Sequence, residues 1–382
     1  MMGFINNSSE QYLTDLLSQA DIEVNGSRPW DITVSNRGFF DRIVSSGSLA
    51  LGESYMDGWW HCEALDQFFF KLLRHGTDRK FRLTPPMVIS YLKACVLNCQ
   101  CRRRAFQVGE QHYDTGNDLF RLMLDDRMVY SCAYWQDAKN LNEAQEAKLD
   151  LICRKLRLAP GMRLLDIGCG WGSLLRFAAR RYGVEAVGVT VSREQAELAR
   201  QRCAGLPIEV RLQDYREISD TFDAIVSVGM FEHVGYKNYR TFMKVVRHCL
   251  SDEGLFLLHT IAANQTSRTC DPWFDKYIFP NGMLPSIRQV GSAIEGLLIM
   301  EDWHNFGISY DRTLMAWHDN FQRHWPILKE KYSERFRRMW CFYLLSLAGA
   351  FRARHTQVWQ VVMSPSGKIG GYISLRCPEC LT

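Results

Sequence analysis

The chain has 382 residues, which is enough for two domains with substantial cores. Apolar and charged residues make up 47% and 23% of it, the ordinary composition of a globular protein, and a formal charge of only +4 excludes a basic coat for nucleic acid. The longest uncharged apolar run, Met339 to Phe351, is shorter than the roughly 20 residues that cross a bilayer, so we expect no membrane span.

The start of the chain and its cysteines indicate a cytoplasmic protein. MMGFINNSSEQYL lacks a basic segment followed by an apolar core, so we expect no secretory signal. Thirteen cysteines without a regular framework then favour reduced thiols. The pair Cys377 and Cys380 has no second pair, and Cys95, Cys99 and Cys101 have no nearby histidine, so no metal site is expected.

Residues 1–76 have the pattern of a small α+β domain. A helix near Gln11 to Ala20 is followed by short strands at Ile22 to Val24 and Ile32 to Val34. Aromatic side chains then cluster between Gly52 and Trp60. Such a cluster is more often core than ligand site, although at a domain face it could also meet lipid. The residues of this domain indicate no particular chemistry.

Residues 77–106 form a predicted linker with a basic end. Met87 to Leu97 is apolar apart from Lys93, and Arg102 to Arg104 follow. Such a helix could lie in a membrane interface with its cations on anionic headgroups, or it could pack on the next domain with its last turn solvated. Both interpretations stay open.

From residue 107 to residue 382, strands alternate with helices. The predicted elements are a helix ending at Leu156 behind a capping box of Asn140 and Glu143, strands Arg163 to Asp166, Ala186 to Thr190, Ile208 to Leu212, Ala224 to Val228 and Leu255 to Thr260, and helices Ser173 to Tyr182, Arg193 to Cys203, Tyr236 to Cys249 and Tyr332 to Ala353. This alternation predicts an α/β fold with a parallel, doubly wound sheet that binds ligands at the carboxyl ends of its strands. Val358 to Met363 is expected as a last strand, antiparallel and at the sheet edge.

The alternation lapses between Ile261 and about Ile299. The segment Asp271 to Pro285 is rich in aromatic residues and proline. As a mere surface excursion it would leave its aromatic side chains little to cover, so we interpret it as a lid insertion over an apolar pocket.

A glycine-rich loop follows the first strand of the sheet. The run Leu164 to Gly172, LLDIGCGWG, ends the strand at Asp166 and turns into a helix, so a ligand can touch bare backbone there. Its third glycine comes one residue too early for a dinucleotide fingerprint, and the second strand ends in Thr190 instead of an acidic residue. No G-K-[ST] follows, which excludes a P-loop. The loop therefore indicates a nucleotide-like cofactor other than NAD.

Ionisable side chains lie at the ends of two neighbouring strands. Glu232 and His233 follow the fourth strand, and His259 ends the fifth. Because buried ionisable groups need partners, such groups above a cofactor are better candidates for proton handling than for core packing. Tyr310 lies beyond the lid. Cys132 precedes the sheet, and a cysteine is more often an apolar filler.

Together these motifs resemble known enzymes. The D-x-G-x-G loop, with Thr190, Gln195 and Asp214 at successive strand ends, resembles the S-adenosylmethionine site of class I methyltransferases, which implies a Rossmann-like sheet. YSCAYW (Tyr130 to Trp135), LDIGCGWG, VGVTVS, FEHVG, LLHTI and NFGISYD, in this order, resemble the bacterial cyclopropane-fatty-acyl-phospholipid synthases over essentially the whole chain. Residues 107 to about 355 are also similar to the mycolic acid cyclopropane synthases.

The resemblance implies a reaction and a set of site residues. In that family, S-adenosylmethionine gives its methyl to the cis double bond of an unsaturated acyl chain in a membrane phospholipid, and loss of a methyl proton, thought to pass to bound bicarbonate, closes a cyclopropane ring. The residues implied to hold the bicarbonate are Cys132, Glu232, His259, the backbone of Ile261, and Tyr310. The residues implied to bind the cofactor are Tyr130, Ser131, Asp166, Gly168, Gly170, Gly172, Thr190, Gln195, Asp214 and Tyr215.

The resemblance also implies a homodimer that works peripherally at the inner face of the membrane, with residues 1–76 docking lipid or pairing subunits and with no nucleic-acid partner. A domain like residues 1–76 is present in the phospholipid-acting enzymes and absent from the mycolic ones, which favours phospholipid as substrate. Two alternatives stay open. One is a related methyltransferase that acts on another lipid or a small molecule without ring closure. The other is a lipid-surface or RNA-binding module that has lost activity, although no RNA-stacking motif is visible.

Overall fold

The computed structural model describes residues 3–77 and 116–376. The basic helix end at Arg102 to Arg104 and the cysteine groups at 95–101 and 377–380 lie outside the described residues. In chain order the helices and strands are α1 (Gly3–Gln19), β1 (Thr33–Val34), α2 (Gly38–Met56), β2 (Trp60–His61), α3 (Leu65–Arg74), α4 (Asn117–Met123), α5 (Leu141–Lys155), β3 (Arg163–Ile167), α6 (Ser173–Tyr182), β4 (Glu185–Thr190), α7 (Arg193–Cys203), β5 (Ile208–Leu212), β6 (Phe222–Val228), α8 (Tyr239–Cys249), β7 (Leu250–Ala263), α9 (Pro272–Tyr277), α10 (Ile287–Ile294), β8 (Ile299–Asn305), α11 (Ile308–Leu328), α12 (Glu334–Arg352) and β9 (Thr356–Ser364).

The chain divides into two compact units that are each discontinuous in sequence. The first comprises the described residues within Met1–Leu97, Arg268–Gly282 and Tyr310–Thr356; the second comprises those within Asn98–Ser267, Met283–Ser309 and Gln357–Thr382. The boundaries expected at residues 76 and 106, and the roles given to those segments, stay predictions. The two compact units do not follow those boundaries, because the segments 268–282 and 310–356 belong to the same unit as the N-terminal residues.

The second unit is built on a seven-stranded sheet in the order β5-β4-β3-β6-β7-β9-β8. The pairs from β5 through β7 are parallel, and β9 pairs with β8 in the antiparallel sense. This is the α/β fold with a mostly parallel sheet that the alternating pattern predicts. All the parallel strands therefore end at one edge, where ligands bind in such sheets.

Alternation within each strand divides the core into two layers. Leu164, Ala186 and Ala224 face one side, where they pack with the apolar faces of α5, α6 and α7. Their neighbours Leu165 and Ile225 face the other side, against α8 and α10. Because a parallel sheet is covered by helices on both faces, most residues of β3, β4 and β6 are buried.

Most predicted bounds in this unit are confirmed to within a few residues, and those of α6, α7 and β5 are confirmed without change. The capping prediction also holds, since the Asn140 side chain accepts from the backbone N–H of Glu143 at 3.0 Å. The prediction that the last strand lies at the sheet edge was wrong. β9 is antiparallel but not at the edge, because β8, a strand that the sequence pattern does not signal, pairs along its outer side.

The first unit has an aromatic core that joins three separate parts of the chain. The Tyr55 ring lies 5.1 Å from Trp60 and 5.6 Å from Phe342 of α12, and α12 packs on α2 and α3. Trp273 of α9 lies 4.5 Å from the same Phe342. The aromatic cluster between Gly52 and Trp60 is therefore core, the more common of the two interpretations.

The aromatic segment predicted as a lid is anchored in this same unit. Trp273 is buried, its indole N–H points to the sulfur of Met56, and a Cβ at Gly52 would lie only 2.3 Å from the indole. Lys276 and Tyr277 both bond to Glu53. The segment thus buries its leading aromatic side chain against α2. Its role as a lid stays a prediction.

Candidate active site

The glycine loop between β3 and α6 is shaped by three positive φ angles. Gly168, Gly170 and Gly172 have φ values of 90°, 53° and 76°. A Cβ at Gly168 would lie 2.7 Å from the Met230 side chain, and one at Gly172 would lie 2.8 Å from the sulfur of Cys203, so these two glycines are needed for packing as well. Around Gly170 a Cβ would meet nothing within 4 Å. Gly170 therefore presents open backbone on the cavity side.

A cavity of about 210 Å³ lies at this edge of the sheet. Its wall contains every predicted cofactor residue except Gly172, namely Tyr130, Ser131, Asp166, Gly168, Gly170, Thr190, Gln195, Asp214 and Tyr215. The structure thus brings together residues that are up to 85 positions apart in the chain, between Tyr130 and Tyr215. Gly172 instead starts the helix as its left-handed N-cap.

The wall contains polar atoms that are buried without a hydrogen-bond partner among the described residues. Among them are Oδ1 of Asp166 and the hydroxyl of Tyr215. Burial raises the pKa of Asp166 to about 7, opposed by the cation of Lys148, and burial raises the pKa of Tyr215 to about 12. Unpaired polar groups facing a cavity are costly unless a ligand satisfies them. A carboxylate and a hydroxyl suit the ammonium and hydroxyl groups of S-adenosylmethionine, so the residues present fit that cofactor.

The neighbouring strand ends are held by local hydrogen bonds. Thr190 donates to the side-chain oxygen of Gln195 at 2.9 Å. Ser192, which lies between these two residues in the chain, is the N-cap of α7. Asp214 accepts from the backbone N–H and the guanidinium of Arg216, both at 2.9 Å. These contacts fix the side chains at the second and third strand ends before any ligand arrives.

Lys148 is a member of this wall that the sequence analysis missed. It is 1% exposed, and its ammonium donates to the hydroxyl of Ser131 at 2.8 Å. Gln145, one helical turn earlier, donates to the carbonyl of Ser131 at 2.9 Å. Burial lowers the pKa of Lys148 to about 8, opposed first by the carboxylate of Asp125. The available signal was a glutamine and a lysine three residues apart on the apolar face of a helix, where core positions are expected.

A second group of polar side chains lies on the turn that follows β6 and on the neighbouring strand β7. Glu232 sits in the short 3-10 turn Phe231–His233, and its Oε1 accepts from the backbone N–H of Ile261 at 2.6 Å. Its other oxygen, Oε2, is buried with no partner among the described residues. Burial raises the pKa of Glu232 to about 7. The carboxylate therefore offers one unused acceptor in an apolar setting.

His259 lies within β7, at the level where β6 ends. It pairs in register with Val228, and its carbonyl accepts from the N–H of Gly229 at 2.9 Å. The ring is 2% exposed, and burial holds its pKa well below the ordinary value, so the imidazole is neutral. The amide nitrogen of Gln360 lies 3.3 Å from Nδ1 of the ring. With the Gln360 amide nitrogen assigned as the donor, Nδ1 accepts and Nε2 carries the proton.

The other predicted catalytic residues are placed as follows. Cys132 is fully buried, and its thiol lies 3.3 Å from the carbonyl of Ala133. The Ile261 amide is already engaged by Glu232. Tyr310 belongs to the other unit, where it is buried with its ring 4.7 Å from Phe351. His233, which the sequence also flagged, lines the cofactor cavity, and burial lowers its pKa to about 4.

The fold and this cavity define a class I methyltransferase that uses S-adenosylmethionine. The sequence profile described as mycolic acid cyclopropane synthetase matches residues 100–361. A cyclopropane-fatty-acyl-phospholipid synthase from Escherichia coli (strain K12) is 56% identical over 350 residues, which is 92% of each chain. The chain therefore belongs to the mycolic acid cyclopropane synthetase family.

Solved structures agree with this assignment. The cyclopropane synthase MmaA2 from Mycobacterium tuberculosis is 33% identical and superimposes with a TM-score of 0.64 over 68% of this chain and 97% of that one. The mycolic acid cyclopropane synthase CmaA1 complexed with SAH and CTAB is 34% identical, with a TM-score of 0.62 over the same shares. The predicted family and fold are thus confirmed.

Proposed function

We propose that this chain converts unsaturated acyl chains of membrane phospholipids into cyclopropane acyl chains. The cis double bond gains a methyl group, and the resulting cation loses a proton from that methyl to close the ring. S-adenosylmethionine supplies the methyl as an electrophile and leaves as S-adenosylhomocysteine. The similarity over 92% of an E. coli phospholipid-acting enzyme supports the substrate class.

The observation that carries the proposal is the unused Oε2 of Glu232 together with the neutral His259 of the neighbouring strand β7. A small anion that has both a hydroxyl and an oxyanion needs a carboxylate acceptor and an N–H donor, and these two residues offer them. Bicarbonate fits this donor and acceptor set. Glu232 and His259 are the residues proposed to hold it, and the resemblance adds Cys132, the backbone of Ile261, and Tyr310. Bicarbonate would supply the base that removes the methyl proton.

The chain's own contribution is positioning and exclusion of water. An alkene is a weak nucleophile, so the double bond must be held close to the methyl donor. Glu232, His259 and Cys132 are all buried, which keeps water from trapping the cation before the proton is lost. His259 stays neutral because burial lowers its pKa, so it donates from Nε2 without adding a positive charge near the cation.

We propose further that the chain works as a peripheral protein at the inner face of the membrane. Among the described residues, no helix is both long enough and apolar enough to cross a bilayer. Its lipid substrate would then have to be reached from the membrane surface. The homodimer implied by the resemblance is part of the same proposal, and light scattering of the purified chain checks it.

The deciding experiment incubates the purified chain with methyl-labelled cofactor and vesicles of unsaturated phospholipid, in bicarbonate-depleted buffer and after bicarbonate is restored. Mass spectrometry of the released acyl chains should reveal a cyclopropane product that forms faster with bicarbonate. A branched or olefinic methyl product would refute ring closure. A cyclopropane formed at the same rate in both buffers would refute the bicarbonate base and leave the substrate assignment standing.

A further inference from the structure

The outward face of α6 carries an unusual concentration of arginine. Ser173, Arg176, Phe177, Arg180 and Arg181 follow one another at spacings of three, one, three and one, so they share one face of the helix. With Arg127 from the preceding segment they line a recess of about 230 Å³, hereafter the arginine recess. Ser173 lines both this recess and the cofactor cavity, so the two are neighbours in the second unit.

The positive charge of the arginine recess is not compensated within the described chain. Arg176, Arg180 and Arg181 form no ion pair with any described residue, and Nε of Arg176 is buried without a hydrogen-bond partner. Only Arg127 has an acidic partner, Glu146. Burial lowers the pKa of the adjacent Arg202, and the charge of Arg176 lowers it further, as expected where cations crowd together.

Hydrogen bonds also fix the shape of the arginine recess. The carbonyl of Arg127 accepts from the hydroxyl of Ser173 and, at 2.8 Å, from the guanidinium of Arg202. Arg202 reaches toward the Trp171 carbonyl as well. These bonds fix the segment that carries Arg127 against the start of α6, so the rim of the recess is preorganised.

A purely structural explanation accounts for part of this pattern. Arg180 and Arg181 occupy the last turn of α6, where cations interact favourably with the helix dipole. Arg176 lies mid-helix, outside the reach of that effect, and its buried Nε has no partner. A buried donor left unpaired is costly, which is the usual sign that a ligand completes it.

We propose that the arginine recess binds the phosphate of anionic phospholipid headgroups and so docks the second unit on the membrane surface. The inference rests on the proposed phospholipid substrate. Guanidinium forks match phosphate oxygens in a bidentate manner. The half-buried Phe177 lies in the same wall, and no exposed row of aromatic side chains accompanies the arginines, which favours a lipid headgroup over stacked nucleic-acid bases.

The test compares two double variants of the full chain that lose the same charge. Arg180→Ser with Arg181→Ser removes two exposed cations of the recess. Lys244→Ser with Arg247→Ser removes two cations from the outer face of α8. Binding to vesicles of phosphatidylglycerol and phosphatidylcholine is measured by co-sedimentation at low and high salt, with pure phosphatidylcholine vesicles as the neutral reference.

We expect the recess variant to bind anionic vesicles about 30-fold more weakly at low salt, because each of the two lost cations contributes about a fivefold change near such a surface. The α8 variant should bind as the parent does. Equal binding by the recess variant and the parent, or equal losses in both variants, would overturn the proposal. So would vesicle binding that persists while binding to a single-stranded RNA probe is lost.

Two further measurements keep the result interpretable. Circular dichroism and calorimetry with S-adenosylmethionine confirm that each variant is folded and binds cofactor, and Arg181→Ser alone replaces the double variant if it is not. The lipid product of the parent chain is determined separately by mass spectrometry. The proposal that the recess docks vesicles and the proposed lipid product are therefore tested separately, and either one can be refuted without the other.

Discussion

Replacing Glu232 by glutamine should make the protein more stable and much less active. The glutamine keeps the shape of the side chain and an oxygen that can still accept from the Ile261 N–H at 2.6 Å. It removes a charge that is 7% exposed and has one oxygen without a partner. The substitution thus separates the cost of burying the carboxylate from the benefit that it provides to the reaction.

The size of the stability effect follows from the pKa. Burial raises the pKa of Glu232 from an ordinary 4.5 to about 7, so the unfolded chain loses this proton at lower pH than the folded chain. The folded state is therefore progressively destabilised as pH rises between 4.5 and 7. The full difference is roughly 3 kcal/mol above pH 7, since one pKa unit corresponds to about 1.4 kcal/mol. Glu232→Gln should recover this amount at pH 8 and almost none of it at pH 4.5.

Catalysis should change in the opposite direction. Loss of a residue that orients a base typically lowers turnover by roughly 100-fold or more, whereas Glu232 makes no contact that would hold the cofactor itself. Thermal unfolding at pH 5 and pH 8, turnover on unsaturated vesicles, and calorimetry with S-adenosylmethionine measure the three quantities. The exposed Glu295→Gln serves as the matched control. Unchanged turnover, or a stability gain that does not grow with pH, would refute the reasoning.

Three further substitutions test other parts of the site. Gly170→Ala should fold with a loss of about 1 kcal/mol and bind S-adenosylmethionine at least 10-fold more weakly by calorimetry, because its methyl group enters open space beside the cofactor; unchanged affinity would show that the backbone is not approached there. Lys148→Met should lower the free energy of unfolding by about 3 kcal/mol in denaturant titrations, since it leaves Asp125 and Asp166 buried without their cation; a loss below 1 kcal/mol would contradict that electrostatic role. Trp273→Ala should cost about 3–5 kcal/mol through a cavity against Phe342, and a calorimetric scan that leaves the transition unmoved would show that the segment is not anchored as described.

The sheet was predictable because its signals are local. Strands β3, β4 and β6 are largely apolar runs bounded by turn residues, and the glycines of the loop are needed for its positive φ angles. The edge strand β8, IMEDWHN, has no such signal. Its acidic and histidine side chains have partners that are far away in the sequence, such as Lys155, whose Nζ lies 3.0 Å from Nδ1 of His304. The sequence of the strand alone does not reveal such partners.

The candidate site was predictable only where its residues lie near the carboxyl edge of the sheet. Glu232, His259 and Asp166 could be placed at one edge from topology alone. Lys148 could not, because a lysine on an amphipathic helix is normally a solvated residue, and only the fold shows that this one is buried. The resemblance supplied Tyr310 and Cys132, whose sequence surroundings indicate no role.

The first unit is built from three separate segments of the chain, and this limits what a truncated chain can show about function. Gly349 of α12 lies so close to α3 that a Cβ there would be 2.5 Å from the Asp66 carbonyl, and Arg352 pairs with Asp66 at 2.6 Å. Deleting residues 1–77 would remove residues that pack against Phe342 and Trp273 and would expose an aromatic surface to water. Such an exposed apolar surface favours aggregation. Inactivity of such a deletion would then report a damaged fold rather than a missing lipid-docking function. Point substitutions on its surface are the sound way to ask what the N-terminal segment contributes.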